Sequence, residues 1–192
     1  RDSNMEMNDV PTHHEFVQNL KWFAPIRSEP KRTYDNYALN FSSKGDHIPY
    51  LLKNLFNQIE SKRELVIIKK TLEKFGKESG LFEAIKVNPL GKLKTSPFEI
   101  HVQLNNSAYK ISNVGYGVSQ VLPLLIEILS SENTWFSIQQ PEVHLHPRAQ
   151  AAFGEFIFKA IQNQNNNFII ETHSDFLIDR FRLKLSENHK LK

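Results

Sequence analysis

The apolar and polar positions divide the chain into an irregular first quarter, a helical stretch, a β-rich stretch and a regular second half. Residues 1–47 are polar and punctuated by Pro25, Pro30 and Gly45, which marks loop. Within them Trp22–Arg27 is a short apolar run that can end a strand. Over 48–59, Leu51, Leu52, Leu55, Phe56 and Ile59 recur at the four-residue spacing of a helix. Over 62–75, Leu65, Ile68, Leu72 and Phe75 form a second helical stripe, and Gly76 and Gly80 are expected to stop it. Phe98, Ile100, Val102 and Leu104 then alternate with polar residues, and Asn105–Asn106 turns the chain into 108–111, so a β-hairpin is predicted. Residues 118–130 are apolar nearly all round, the signature of a buried helix. Short buried strands are expected at 134–138 and 168–170. A helix from Pro147 to Gln162 separates them, with proline in its first turn, where a missing N–H costs nothing. Ser174 is placed to cap a last helix through Leu185, with Asp175 beside the positive end of its dipole. The order helix–strand–helix–strand–helix predicts an α/β fold, a parallel sheet flanked by helices. In such sheets chemistry gathers beyond the carboxyl ends of the strands.

Composition narrows this picture. The 192 residues are 40% apolar, enough for a core, and the length suits one domain. The absence of cysteine excludes a disulfide framework, thiol catalysis and cysteine-ligated zinc. No apolar run approaches the ~18 residues of a membrane span, and Arg1–Asn8 lacks a signal-peptide core, so a cytoplasmic protein without membrane contact is expected. The net charge is only +3 and unevenly spread: residues 61–94 hold nine Lys/Arg against four Glu, while 105–171 hold three against five. A basic helical face of this kind is usually solvated, and contact with nucleic acid would need those charges grouped on one surface. The seven glycines form no Gly-x-x-x-x-Gly-Lys phosphate loop. Trp22 and Trp135 are expected in packing. His144-x-His146 has the spacing of a metal pair but no evident third ligand.

Three polar loops fall at one predicted sheet rim. Strand 134–138 runs into Gln139-Gln140-Pro141-Glu142-Val143-His144-Leu145-His146-Pro147, and strand 168–170 runs into Glu171-Thr172-His173-Ser174. The buried helix is preceded by Asn113-Val114-Gly115-Tyr116-Gly117-Val118-Ser119-Gln120, where free N–H groups could face an anion.

In order, spacing and context these loops resemble the C-terminal half of an ABC-type ATPase of the RecF/SMC/OLD (overcoming lysogenization defect) lineage. Val114–Gln120 resembles the signature loop, which implies that Gly115, Tyr116, Gly117, Ser119 and Gln120 contact the ATP held by an opposite subunit. Phe136–Glu142 resembles the Walker B strand. His144-Leu145-His146-Pro147 resembles the D-loop, with His144 and His146 at a dimer interface. Ile170–Ser174 resembles the switch loop, with His173 on the γ-phosphate. Ala24–Arg27 resembles a Pro-Arg motif of the same group. The resemblance implies ATP and Mg²⁺ as cofactors, Gln139, Gln140, Glu142 and His173 as catalytic positions, and a homodimer or higher even oligomer formed through the ATPase heads. It further implies a nuclease or toxin effector in DNA transactions or antiphage defence, with DNA as a candidate partner.

This chain departs from the pattern in three places. The Mg²⁺ position of Walker B is Gln139, followed by Gln140. Either Gln139 stands for a lost glutamate, in a site that binds ATP without turnover, or the acid has moved to Glu142 or Glu171. Gly115 occupies the place of the signature serine, for which Ser112 or Ser119 can substitute. The phosphate loop is missing, so the chain reads as the C-terminal part of an ATPase domain. Its expected divisions are an irregular segment with a strand over 1–47, a helical insertion over 48–80, the ATPase part over 81–185 and a basic tail over 186–192. Rival readings are a catalytically impaired ATP-dependent switch and an interaction module that shares only the fold.

Overall fold

A computed structural model describes residues 19–35, 40–57 and 62–189. The expectations for residues 1–18, for positions 58 and 59 of the first predicted helix and for the last three residues of the basic tail lie outside them.

The described chain runs β1 (Leu20–Phe23), α1 (Ile48–Asn57), α2 (Lys62–Ser79), β2 (Ala84–Pro89), β3 (Phe98–Leu104), β4 (Ser107–Lys110), α3 (Tyr116–Leu129), β5 (Trp135–Gln139), α4 (Pro147–Gln164), β6 (Asn167–Glu171) and α5 (Asp175–His189). The expected α/β fold is present: β1, β5 and β6 form a parallel sheet in the order β1-β5-β6. Phe136 of β5 and Phe168 of β6 are in register and stack at 5.4 Å. The side chains that contact across this sheet therefore also pin which strand ends share the rim.

α3 fills the centre. Its Val121, Leu124, Leu125, Ile126 and Ile128 are wholly buried, as its all-round apolar composition requires. α2 and α4 meet through Phe75 and Phe156, whose rings cross edge to face at 5.9 Å. Arg148, in the first turn of α4, donates through Nε to the Glu78 carbonyl at 2.7 Å and through Nη2 to the Lys77 carbonyl at 2.6 Å, closing two orphan acceptors at the end of α2. The predicted hairpin is present as β3–β4, and β2 adds a third antiparallel strand on the other side of β3.

Two expectations are corrected. Gly76 does not end α2; the helix passes through it to Ser79, and Gly80, in the left-handed region at φ +74°, is the stop. Gly76 is required because a Cβ there would enter the carbonyl and ring of Phe82. Trp22 is 45% exposed, because the pleat of β1 sends its neighbour Phe23 into the core and Trp22 outward.

Candidate functional site

Four segments meet at the carboxyl rim of the parallel sheet: the loop after β1, the loop after β5, the loop after β6 and the first turn of α3. Their positions follow from register. Gln139 is paired with Glu171, so the two strand ends arrive level. The Gln139 amide donates to a Glu171 carboxylate oxygen at 3.3 Å, and the Gln140 N–H donates to the Glu171 carbonyl at 2.8 Å.

The loop after β5 then turns sharply. Gln140 (φ 44°) and His144 (φ 64°) both sit in the left-handed region. Side chains with a Cβ pay roughly 1–2 kcal/mol each there, and such residues persist where surrounding contacts over-determine them. The contacts are visible. Leu145 N–H donates to the Glu142 carbonyl at 2.9 Å, Gln150 Nε2 donates to the Leu145 carbonyl at 2.7 Å, and Ser174 Oγ donates to Gln150 Oε1 at 2.6 Å. Ser174 also accepts the Leu177 N–H at 3.1 Å, so the expected N-cap of α5 is in place and the same hydroxyl ties α5 to α4.

Glu142 is committed to the neighbouring loop. Its Oε2 accepts from Thr172 Oγ1 at 2.8 Å and its Oε1 from the His173 N–H at 2.7 Å. It braces the His173 loop, while the His173 ring belongs to an exposed residue. Both D-loop-like histidines are also exposed. His144 meets the Tyr116 ring edge to face at 4.7 Å, and a Cβ on Gly117 would lie 2.8 Å from the His144 carbonyl oxygen. The signature-like and D-loop-like segments are thus in contact.

The signature-like segment divides in two. Gly115, the cap of α3, has open space around it, and Tyr116 is partly exposed. Ser119 and Gln120, expected as contacts to nucleotide, are both buried and engaged within the subunit. Ser119 Oγ donates to the Tyr116 carbonyl at 2.7 Å within its own helix. Gln120 is 0% exposed and its amide spans the Arg27 backbone, accepting from Arg27 N–H at 2.9 Å and donating to its carbonyl at 3.3 Å. Both lie within about 60° of Tyr116 around α3, so it is burial that separates them from the exposed Tyr116. Ser112, the other candidate, is half-buried and bonds its neighbour Asn113 at 3.0 Å.

Sequence reasoning gave little weight to Arg27. The loop after β1 carries it to the rim, yet its side chain is buried, with Nη1 donating to the Pro25 carbonyl at 3.1 Å. Burial pulls its pKa down to about 10, and the Glu142 carboxylate acts in the opposite direction. Its sequence signal was confined to the Ala24–Arg27 motif.

Mg²⁺ demands near-octahedral oxygen donors, usually one or two carboxylates with waters and substrate phosphates. The rim offers the Glu171 carboxylate and the Gln139 amide, Glu142 being engaged elsewhere. Among the described residues no group of three or more His, Asp or Glu could hold a metal. These donors do not by themselves make a Mg²⁺ site. Among the described residues, no helix is long and apolar enough to cross a membrane.

The fold is similar to that of SMC heads. It matches the Smc head bound to the C-winged helix domain of ScpA with a TM-score of 0.50 at 12% identity, covering 69% of this chain and 43% of that one. A Smc head with an extended coiled coil from Pyrococcus furiosus, bound to the C-terminal domain of ScpA, aligns at a TM-score of 0.46 and 14% identity over 72% of this chain and 36% of that one. The chain thus spans less than half the length of each of these relatives. No curated protein matches it. A family model described as an AAA ATPase domain matches residues 14–178, and the chain belongs to that ATPase family.

Proposed function

We propose that this chain is part of an ATP-binding and ATP-hydrolysing ABC-type ATPase subunit of OLD-like lineage. In this reading the subunit dimerises around ATP and controls a nuclease or toxin effector in a DNA-related or antiphage role. The observation that carries the proposal is the meeting of the signature-like, Walker-B-like, D-loop-like and switch-like segments on one sheet rim, in contact with one another. The open edge of β6 supports the further reading that the chain is the C-terminal part of the domain. Among the described residues β6 ends the sheet, so a further parallel strand carrying a phosphate loop fits beside it. Residues 48–80 are then an insertion and 81–185 the ATPase part, and the working location is the cytoplasm.

In this reading the γ-phosphate lies against the His173 loop, and Glu142 holds that loop in place through the His173 amide. The exposed α3 terminus, with Gly115 and Tyr116, faces the nucleotide of a second subunit. Mg²⁺ arrives with the triphosphate as part of the substrate. A second reading is favoured by Gln139 and Gln140: an amide carries no charge to hold a cation and is a poor base, so the protein binds ATP as a switch without turnover. The test is ATP-dependent thermal stabilisation and phosphate release by the intact protein. Stabilisation with release supports hydrolysis. Stabilisation without release supports the switch, and release regained in Gln139→Glu would assign the defect to that position. No stabilisation by ATP or a non-hydrolysable analogue would overturn both and leave an interaction module.

A further inference from the structure

Gln150, which closes the first turn of α4, stands between two loops of the rim. Its backbone N–H donates to the His146 carbonyl at 3.1 Å, and its side-chain Nε2 donates to the Leu145 carbonyl at 2.7 Å. One residue thereby satisfies two successive carbonyls of the D-loop-like turn. Its Oε1 reaches the other way, to Ser174 Oγ at 2.6 Å. The direction of each bond is settled by the groups that have no choice. A carbonyl can only accept, so the Leu145 oxygen takes the Gln150 amide N–H, and the amide must turn its own oxygen to Ser174. That oxygen also can only accept, so Ser174 gives up its hydroxyl proton and keeps its lone pairs for the Leu177 N–H at 3.1 Å. The bonds form one oriented series from the cap of α5 to the turn before α4, and bonds in such a series strengthen one another.

The turn held at Leu145 is not a relaxed one. His144, the residue before it, sits at φ 64°, a conformation that depends on its surroundings. A second brace joins the same two loops: Glu142 holds Thr172 Oγ1 and the His173 N–H, and Thr172 Oγ1 in turn accepts the Ser174 N–H at 3.1 Å. Only Gln150 takes the Ser174 hydroxyl and the Leu145 carbonyl on one side chain. We propose that Gln150 is a positioning residue that couples the D-loop-like turn to the His173 loop. A displacement of the turn carrying the exposed His144 and His146 draws Leu145, Gln150 and Ser174 in sequence, and so moves the residue next to His173. Gln150 touches no reacting group; it acts through Leu145 and Ser174. The use of the coupling, to carry the arrival of a second subunit at the two histidines to a phosphate contact at His173, rests on the proposed function. The mechanical link itself requires no nucleotide.

The experiment is amide hydrogen exchange of the chain without nucleotide, so failure of ATP binding and failure of this coupling are separate results. The Leu145 amide, which donates to the Glu142 carbonyl at 2.9 Å, reports on the turn. In Gln150→Met, which fills the space without either polar group, it is expected to exchange about tenfold faster, the scale of one lost hydrogen bond. Ser174→Ala perturbs the opposite end and should speed Leu145 about fivefold, yet in a Gln150→Met background it should add less than about twofold. Gln150→Glu keeps an acceptor for Ser174 but sets an oxygen against the Leu145 carbonyl. It should match Gln150→Met at Leu145 while leaving the Leu177 amide within about twofold of wild type. The Phe136 and Ile138 amides in β5 should hold their wild-type rates throughout. A Leu145 rate unmoved by Ser174→Ala, the same factor in both backgrounds (which would route the effect through Glu142), or acceleration of β5 in step with Leu145 would overturn the proposal. If Gln150→Met does not fold, Gln150→Glu takes its place in the double-mutant comparison and is read by the same outcomes.

Discussion

Glu127 is the one acidic residue of α3, and its replacement tests the packing logic of the whole core. It is buried, its Oε1 accepts from Lys21 Nζ at 2.5 Å and its Oε2 faces His47 Nε2 at 2.8 Å. The Ser42 N–H points at His47 Nδ1 at 3.1 Å. An amide can only donate, so Nδ1 accepts and Nε2 carries the proton given to Glu127. In Glu127→Ala the buried His47 donor is stranded, at about 1–3 kcal/mol. Lys21 retains Ser131 Oγ at 2.9 Å and is 32% exposed, so its loss is within about 1 kcal/mol. The missing methylene adds about 0.8 kcal/mol. The expected destabilisation is about 3 kcal/mol for alanine. It is about 1–2 kcal/mol for Glu127→Gln, whose amide oxygen still accepts one of the two bonds. Equilibrium urea unfolding with an unchanged slope measures both. Burial pushes the Glu127 carboxyl up, but the hydrogen bonds from His47 and Lys21 outweigh it and hold the group below its ordinary 4.5. A depressed carboxylate contributes stability that is complete above 4.5 and lost as pH falls through its folded value. Wild type should therefore lose stability on acidification below 4.5 more steeply than Glu127→Gln. An alanine variant within about 1 kcal/mol of wild type, or a glutamine variant with the wild-type acid slope, would refute this account.

Other substitutions have equally definite outcomes. Gly115→Ala should leave the melting temperature unchanged, because a Cβ there meets open space, whereas Gly117→Ala must displace the His144 carbonyl and should cost about 1–3 kcal/mol. Their order in a melting experiment checks the contact between the signature-like and D-loop-like segments. Gly76→Ala forces α2 away from Phe82 and should cost about 2 kcal/mol or more by urea unfolding; a neutral result would mean that α2 and the following turn slide past one another. Gln139→Glu sets a second carboxylate against Glu171, from which the present amide stands 3.3 Å away. Like charges so close disfavour joint ionisation, so this variant should be less stable than wild type at neutral pH and should regain that stability with millimolar Mn²⁺. An absence of metal rescue would show that the two side chains can turn apart.

What could be read from the chain and what could not divide along a physical line. α3, β5, α4 and β6 were legible because apolar periodicity and buried runs are local signals, and Ser174 was legible as a cap because capping is settled within three residues. The meeting of the rim loops followed from strand order in an α/β sheet. The roles of Gln120 and Arg27 were not legible, since their contact joins positions 93 residues apart and no local pattern encodes it. Gly76 was misread because a glycine demanded by a close neighbour has the same local appearance as one that ends a helix. Glu142 was expected among the catalytic acids; only the placement of Thr172 and His173 against it shows how its oxygens are occupied.

The outer edge of β6 has a practical consequence for anyone handling this chain by itself. Edge strands are usually blunted by lysine, proline or a bulge, and β6 reads Asn-Phe-Ile-Ile-Glu, an apolar β-branched centre with none of these. Among the described residues no strand pairs with its outer edge, which makes that edge a template on which a second chain can add. Colloidal behaviour, more than folding, should then limit how concentrated a solution of this polypeptide can be, and a strand-forming peptide laid along β6 should act as a solubilising agent.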